Sequence, residues 1–354
     1  LCRRENPGLT ENPTRWMSKM RETVASLLLL LGSAETGAPA FAQASAPAPA
    51  PAANTQLASA DMVVTLLGTG TPTLSPARFG YSTLVQVGGL NLVFDAGRGS
   101  SIRLAQLGVK LGSIDATFIT HYHSDHVNGL GDLWSTSLLP SPQNGRTAPF
   151  ELYGPVGIKQ VAAGMQAMFE PDLVIRRHDN EVTAAAEKLN VHEFTRDGVV
   201  FEKNGVRVTA FTVDHGAAIK PAVGYKVQYK GRTVVLSGDT KYDLEVVRQA
   251  TGADLLVHEA SIVAASHVND AWAKPSIAHH TSAEEAGDVF RQAHPKLAVF
   301  SHISRPGPQD ETNTDAALKR RALSHWPNGN VVVGTDLMRI AIGSAVSVIP
   351  SPAQ

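Results

Sequence analysis

Ala116-Thr-Phe-Ile-Thr-His121-Tyr-His123-Ser-Asp125-His126 is the stretch that decides the fold. Its first five residues, Ala116–Thr120, form an apolar, β-prone run of strand length. That run leads directly into four residues of metal-ligand type within six positions. In extended backbone His121 and His123 point the same way, because side chains alternate with period two. They can therefore grip one ion. Asp125 and His126 lie at the turn that follows and can be presented to a second ion. Imidazole and carboxylate together suit zinc, manganese or iron. A histidine-rich surface loop would not need the buried strand ahead of it, nor Gly129-Leu130-Gly131 behind it.

Upstream, Asp61–Leu67 is a β-rich run ending in Gly68-Thr-Gly-Thr-Pro72, and Ser82–Val87 and Leu90–Phe94 are two strands split by Gly88-Gly89. Ser100–Leu107 has helical spacing and stops at Gly108. Downstream, Val206–Val213, Tyr225–Tyr229, Thr233–Leu236, Asp254–His258, Leu297–Ser301 and Val331–Val333 read as strands, Leu244–Ala250 as a helix. Ser282-Ala-Glu-Glu285 is a capping box opening a helix to about Ala293. Strands come first, then strands alternating with helices, which places the chain in the α/β or α+β class. Three further ligand-type residues close apolar strands: His215 in Val213-Asp-His-Gly216, Asp239 in Ser237-Gly-Asp-Thr240, and His302 in Val299-Phe-Ser-His302. Each alone is a polar residue leaving a core. Together they gather at one end of several strands, where open α/β sheets build their sites.

Composition narrows the class of function. The 354 residues carry 31 Lys plus Arg against 32 Asp plus Glu, a formal charge of −1, which excludes the basic footprint of a general nucleic-acid binder. Cys2 is the one cysteine, so neither an intramolecular disulfide nor a Cys-rich zinc ribbon can form. Residues 1–42 read as an upstream segment and a signal peptide. A start at Met17 or Met20 puts Lys19 and Arg21 before the apolar run Val24–Leu31, with Ala40-Phe41-Ala42 as cleavage site. That run of about eight residues is well short of the ~20 that span a bilayer. Residues 43–60 are an extended Ala/Pro tether, and 61–348 are expected to form the folded domain. The expected location is periplasmic or secreted, with no membrane span after cleavage.

The ligand order, with Phe94-Asp-Ala-Gly97, Val223-Gly-Tyr225, Leu236-Ser-Gly-Asp-Thr240 and Val257-His-Glu-Ala260, resembles the metallo-β-lactamase superfamily. Within it the motifs are similar to the ribonuclease Z branch, which also holds exported arylsulfatase-like hydrolases. The resemblance covers about Val63 to Ile340 and implies a four-layer αββα sandwich in a single domain. It implies two divalent metal ions, zinc first with manganese or iron as alternatives. His121, His123 and His215 would hold one ion, Asp125, His126 and His302 the other, and Asp239 would bridge them. Asp95 would steady the cluster from behind. His280 would be the proton donor, with His279 as the structural alternative, and Asp125 would also orient the attacking hydroxide that the ions share. True β-lactamases commonly place a cysteine where Asp239 stands, so lactam hydrolysis is not expected. Since members often pair, the resemblance also implies a homodimer.

Of the remaining histidines, His178, His192, His294 and His325 are expected to be solvated. His258 is a candidate support for the ligands, and His267 a candidate for the entrance. Ribonuclease Z enzymes grip tRNA with a Gly-rich basic arm. Here the corresponding residues 157–200 carry seven acids and five bases, a net −2, a poor phosphate clamp. The expected substrate is a small-molecule ester of sulfate or phosphate, with no nucleic-acid partner. Phosphodiesterase, lactonase, tRNA 3′ processing and metal binding without turnover are the alternatives. Met165, Met168 and Phe169 at helical spacing form either a core face or a cap over an aryl group, with Trp134 in either role.

Overall fold

The computed structural model describes residues 56–351 apart from Gln143. The expected signal peptide, and the tether up to residue 55, lie outside them. The tether's last residues are not extended: 56–58 make one helical turn. Among the described residues no helix is long and apolar enough to cross a membrane.

The strands in chain order are β1 (Met62–Gly68), β2 (Ser82–Val87), β3 (Leu90–Phe94), β4 (Ala116–Phe118), β5 (Phe150–Pro155), β6 (Leu189–Phe194), β7 (Gly198–Lys203) and β8 (Val206–Thr212), followed by β9 (Val223–Tyr229), β10 (Arg232–Leu236), β11 (Leu255–Ser261), β12 (Leu297–Ser304), β13 (Val331–Val333), β14 (Arg339–Ile342) and β15 (Val346–Ile349). The helices are α1 (Ser100–Gln106), α2 (Ser124–Val127), α3 (Leu130–Thr136), α4 (Ile158–His178), α5 (Ala184–Glu187), α6 (Leu244–Ala250), α7 (Lys274–His279), α8 (Ala283–Ala293) and α9 (Asp315–His325). One sheet has the order β15-β14-β1-β2-β3-β4-β5-β6, the other β13-β12-β11-β10-β9-β8-β7. Each is antiparallel in one half and parallel in the other.

Four layers follow from which side chains meet. Val64, Val85, Phe94 and Phe118 of the first sheet pack on Val208, Tyr225, Val234 and Val257 of the second. On the outer face of the first sheet, Leu84, Val93 and Leu152 meet Leu104, Trp134, Ile158 and Met165 of α1, α3 and α4. On the outer face of the second, Val235, Leu256 and Phe300 meet Val246, Phe290 and Leu318 of α6, α8 and α9. Both faces of the central strands are covered, which is why they read as continuous apolar runs rather than alternating ones. Each fully buried aliphatic side chain there contributes about 1.5–3 kcal/mol. The mixed α/β sandwich matches the class read from the sequence. The capping box is formed: the Ser282 hydroxyl accepts from the Glu285 N–H, and Glu285 reaches back to the Ser282 N–H.

The aryl-cap reading of α4 is not supported. Met165 is buried against the first sheet, Phe169 packs on Gly131 and, at 6.0 Å, on the buried ring of Trp134, and Met168 points to solvent at 76% exposure. The face lines the core.

Candidate metal centre

The site lies where strands of both sheets end. β4 runs into His121, His123 caps the one-turn helix α2, and α2 carries Asp125 and His126. His215 follows β8 and Asp239 follows β10. His302 is within β12, where the register against β11 slips by one residue, and it adopts φ 43°. A bulge re-aims one side chain, and here it turns His302 toward the other ligand-type residues. Gly238 makes the turn into Asp239 possible: its φ is 62°, and a Cβ would stand 2.5 Å from the Val223 carbonyl oxygen. Gly97 lets the chain after β3 lie against α2, since a Cβ there would be 2.4 Å from the Asp125 carbonyl oxygen.

All seven residues expected from the sequence come together. His121, His123, His215 and Asp239 form one group, Asp125, His126 and His302 another, with ligand atoms in each within 4.8 Å of one another. His123 Nδ1 stands 3.0 Å from His121 Nε2 and 3.3 Å from His215 Nε2. Asp239 Oδ2 is 3.8 Å from His121 Nε2 and 3.7 Å from His215 Nε2. The same oxygen is 3.3 Å from His126 Nε2 and 3.2 Å from His302 Nε2, so it joins the two groups. His302 Nε2 also meets Asp125 Oδ2 at 3.0 Å. His123 is exposed while the other six are buried, so the centre opens to solvent on its side.

The chain behind the ligands fixes which nitrogen faces inward. His126 Nδ1 donates to Asp95 Oδ2 at 2.8 Å, and His215 Nδ1 donates to the His279 carbonyl at 2.8 Å. His121 Nδ1 is 3.1 Å from the Thr120 hydroxyl, which itself donates to Asp95. In each ring the other nitrogen, Nε2, is turned to the centre and is the atom that could offer a lone pair to an ion there. Asp95 is fully buried and also accepts from the Thr120 N–H; its φ of 56° is the strained backbone that aims it.

These residues fit a pair of divalent cations. His123 Nδ1 lies 3.0 and 3.3 Å from the Nε2 atoms of His121 and His215; one proton on it can bridge one of these contacts, whereas a cation among them would take up all three lone pairs. Asp125 Oδ1, His126 Nε2 and Asp239 Oδ1 are buried with no hydrogen-bond partner. Burial holds His121 well below its ordinary value and pushes His215 down to about 4, so both stay neutral and ligand-competent. Burial alone would raise Asp239, but the neighbouring His302 and His126 rings hold it well below the carboxylate range. The donor set, nitrogen and carboxylate without thiolate, suits zinc.

Comparison with known proteins agrees with this geometry. A family described as "Beta-lactamase superfamily domain" matches residues 91–303. Ribonuclease Z of Mycobacterium sp. (strain KMS) is 32% identical over 299 residues, covering 81% of this chain and 99% of that protein. The chain belongs to the β-lactamase superfamily. Among solved structures, this superfamily member is similar to the short form of human tRNase Z, at 25% identity and TM-score 0.58, covering 79% of this chain and 99% of that one. It also shares the fold of YhfI, a metallo-β-lactamase fold protein from Bacillus subtilis, at 18% identity and TM-score 0.58 over 78% and 98% of the two chains. It is a hydrolase of that fold.

Beside the cage of this superfamily hydrolase stands His280, its ring 5.0 Å from that of His215 and 5.4 Å from that of His302. His280 Nδ1 donates to Glu259 Oε2 at 3.0 Å. Burial alone would push the ring down; the Glu259 carboxylate outweighs it and raises His280 to about 9. His279 instead gives its carbonyl to His215 and packs its ring on Gly216, the structural role. Glu259 lies in the motif Val257-His-Glu-Ala260 with no role evident from sequence; its one signal there is an acid inside the apolar run Leu255–Ser261. His258 is not a support for the ligands: it is buried beside Phe290, and its Nδ1 donates to the Glu259 carbonyl. His267 is half-buried and tied to Asp270. All four histidines expected to be solvated have partners: His178 pairs with Asp179, His192 pairs with Glu151 and stacks on Tyr153, His325 pairs with Asp288, and the His294 ring lies 6.2 Å from that of Trp326.

Proposed function

We propose that this protein hydrolyses a small sulfate or phosphate ester with an aryl-type leaving group, as an exported, arylsulfatase-like dinuclear enzyme. The observation that carries the reading is the convergence of seven ligand-type side chains around one shared oxygen, Asp239 Oδ2, with an imidazole hydrogen-bonded to a buried carboxylate beside them. Two divalent cations, when bound, would bring the pKa of water from 15.7 toward about 7 and neutralise charge growing on the ester oxygens. Asp125 Oδ1, buried and unpartnered, accepts a hydrogen bond from the attacking water. His280, protonated and locked by Glu259 through Nδ1, gives the Nε2 proton to the departing oxygen.

The folding of residues 157–200 supports a small substrate. That segment is built into the domain as α4, α5, β6 and the first half of β7. Two of its three arginines pair with its own acids, Arg176 with Asp172 and Glu181 and Arg177 with Glu170 and Glu187, and Lys159 pairs with Glu193. Little free positive charge is left for a phosphate backbone. The apolar run Val24–Leu31 and the Ala40–Ala42 site support export, away from tRNA. A second reading, tRNA 3′ processing, is favoured by one observation, the 32% identity to a ribonuclease Z along nearly that enzyme's whole length.

A panel of p-nitrophenyl sulfate, bis-p-nitrophenyl phosphate, a lactone and a 3′-extended tRNA precursor separates these readings. The zinc-loaded protein is expected to turn over an aryl ester. Cleavage of the precursor alone would give the ribonuclease reading. No turnover with two ions bound would make it a metal-binding protein. His280→Ala is expected to cost about 10²–10⁴-fold on alkyl or phenyl esters and little on p-nitrophenyl esters, whose leaving group needs no proton. Equal losses on both would remove His280 as the proton donor.

A further inference from the structure

None of the six residues of α7 is buried, so apolar packing does not fix the helix that leads into His280. Besides the bond from His215 Nδ1 to the His279 carbonyl, a trio of hydroxyls holds it. The Ser276 hydroxyl, within α7, is 2.8 Å from Ser261 Oγ and 3.0 Å from Ser304 Oγ. Ser261 ends β11 and Ser304 ends β12, and the parallel register sets the two side by side. On β11, Glu259 and Ser261 are two apart and so face the same way. On α7, Ser276 lies one turn before His280, whose N–H donates to the Ser276 carbonyl at 3.1 Å. The two pairs therefore form rungs of one ladder: Glu259 with His280, and Ser261 and Ser304 with Ser276. Beyond His280 the chain is pinned again, where the Thr281 N–H donates to Glu259 Oε1 at 2.7 Å.

We propose that Ser276 is a positioning residue that keeps the His280 ring on Glu259 and aimed at the leaving-group side of the metal cage. This rests on the reading of His280 as proton donor. Thr281 fixes the chain after His280, and Ser276 fixes it before. Without the hydroxyl contact the exposed helix is left with the bond from His215 Nδ1 to the His279 carbonyl and can pivot about it, carrying the His280 ring off Glu259.

The test uses the zinc-loaded full chain and has two readouts. In ¹⁵N-labelled protein, the His280 Nδ1–H resonance, assigned by its loss in His280→Ala, reports the bond to Glu259. Ser276→Ala is expected to broaden or shift it, while Ser276→Thr, which keeps the hydroxyl, retains it. Bound metal stays the same in both variants. With a leaving-group series, Ser276→Ala is expected to lose about 10-fold or more on phenyl esters and nothing on p-nitrophenyl esters, and Ser276→Thr to regain it. A wild-type resonance in Ser276→Ala overturns the proposal. If the resonance is disturbed but neither Ser276→Ala nor His280→Ala depends on the leaving group, Ser276 still positions the ring, and it is the proton-donor reading that fails.

Discussion

Asp239→Ala is expected to lower bound divalent metal from two ions per chain to one or fewer, and hydrolysis by at least about 10³-fold. Oδ2 of this side chain is the atom common to both ligand groups, 3.2–3.8 Å from four imidazole nitrogens. Removing it leaves one group with three neutral imidazoles and the other with a single carboxylate. The cation–cation repulsion that the shared oxygen offsets is then uncompensated. Metal analysis by mass spectrometry after dialysis, alongside turnover of the preferred ester, checks it. Full metal content with full activity in the variant would remove the bridging assignment.

Asp336→Ala is expected to be the most destabilising single change outside the cage, by about 3–5 kcal/mol, because it strands a buried cation. Arg103 and Asp336 form an ion pair at 2.9 Å with side chains 3% and 1% exposed. Asp336 also accepts from the Thr69 N–H, the Thr69 hydroxyl and the Phe79 N–H at 2.8–2.9 Å. It thus holds the β1–β2 loop closed, and Arg103 is stacked on Phe79 at 3.9 Å. The loop reaches the metal cage through Thr69, whose carbonyl accepts from the Ile303 N–H beside His302. Thermal unfolding of the metal-free protein should show a fall of roughly 6–10 °C at this domain size. A melting point within a degree of wild type would mean that the pair contributes nothing net.

Much of this architecture could be read before any coordinates, and the reasons are local. β2 and β3 were legible to the residue because two apolar runs flank Gly88-Gly89. α6 and β13 have the expected bounds as well. β6 was not legible: all its residues are partly or fully exposed, so no apolar run marks it. β14 and β15 are four residues each and lie among polar turns. α4 is longer than its spacing suggests, since Gly164 and Pro171 interrupt a helical pattern that tertiary packing nevertheless sustains for 21 residues. Its exposed face also carries Met168, Val174 and Ile175, which blurs the period.

The candidate cage was legible because His121, His215 and Asp239 follow the ends of apolar strands, with Asp125 and His126 in the turn directly behind the first, and strand ends show in sequence. Its supports were not. Glu259 acquires its role from His280, 21 positions away, and Asp336 from Thr69, 267 positions away. Ser276 is one serine among many until two strand ends are laid beside it. Pairings of that range are set by the packing of layers, which no local pattern encodes.

The central claim is that five imidazoles and two carboxylates hold two cations. Anomalous diffraction at the zinc edge, on crystals of the zinc-loaded chain, tests it directly. The expected result is two peaks about 3.5–4 Å apart. One peak should be ligated by His121, His123 and His215, the other by Asp125, His126 and His302, with Asp239 between them. Peaks elsewhere, or none among these side chains at full zinc occupancy in solution, would contradict it.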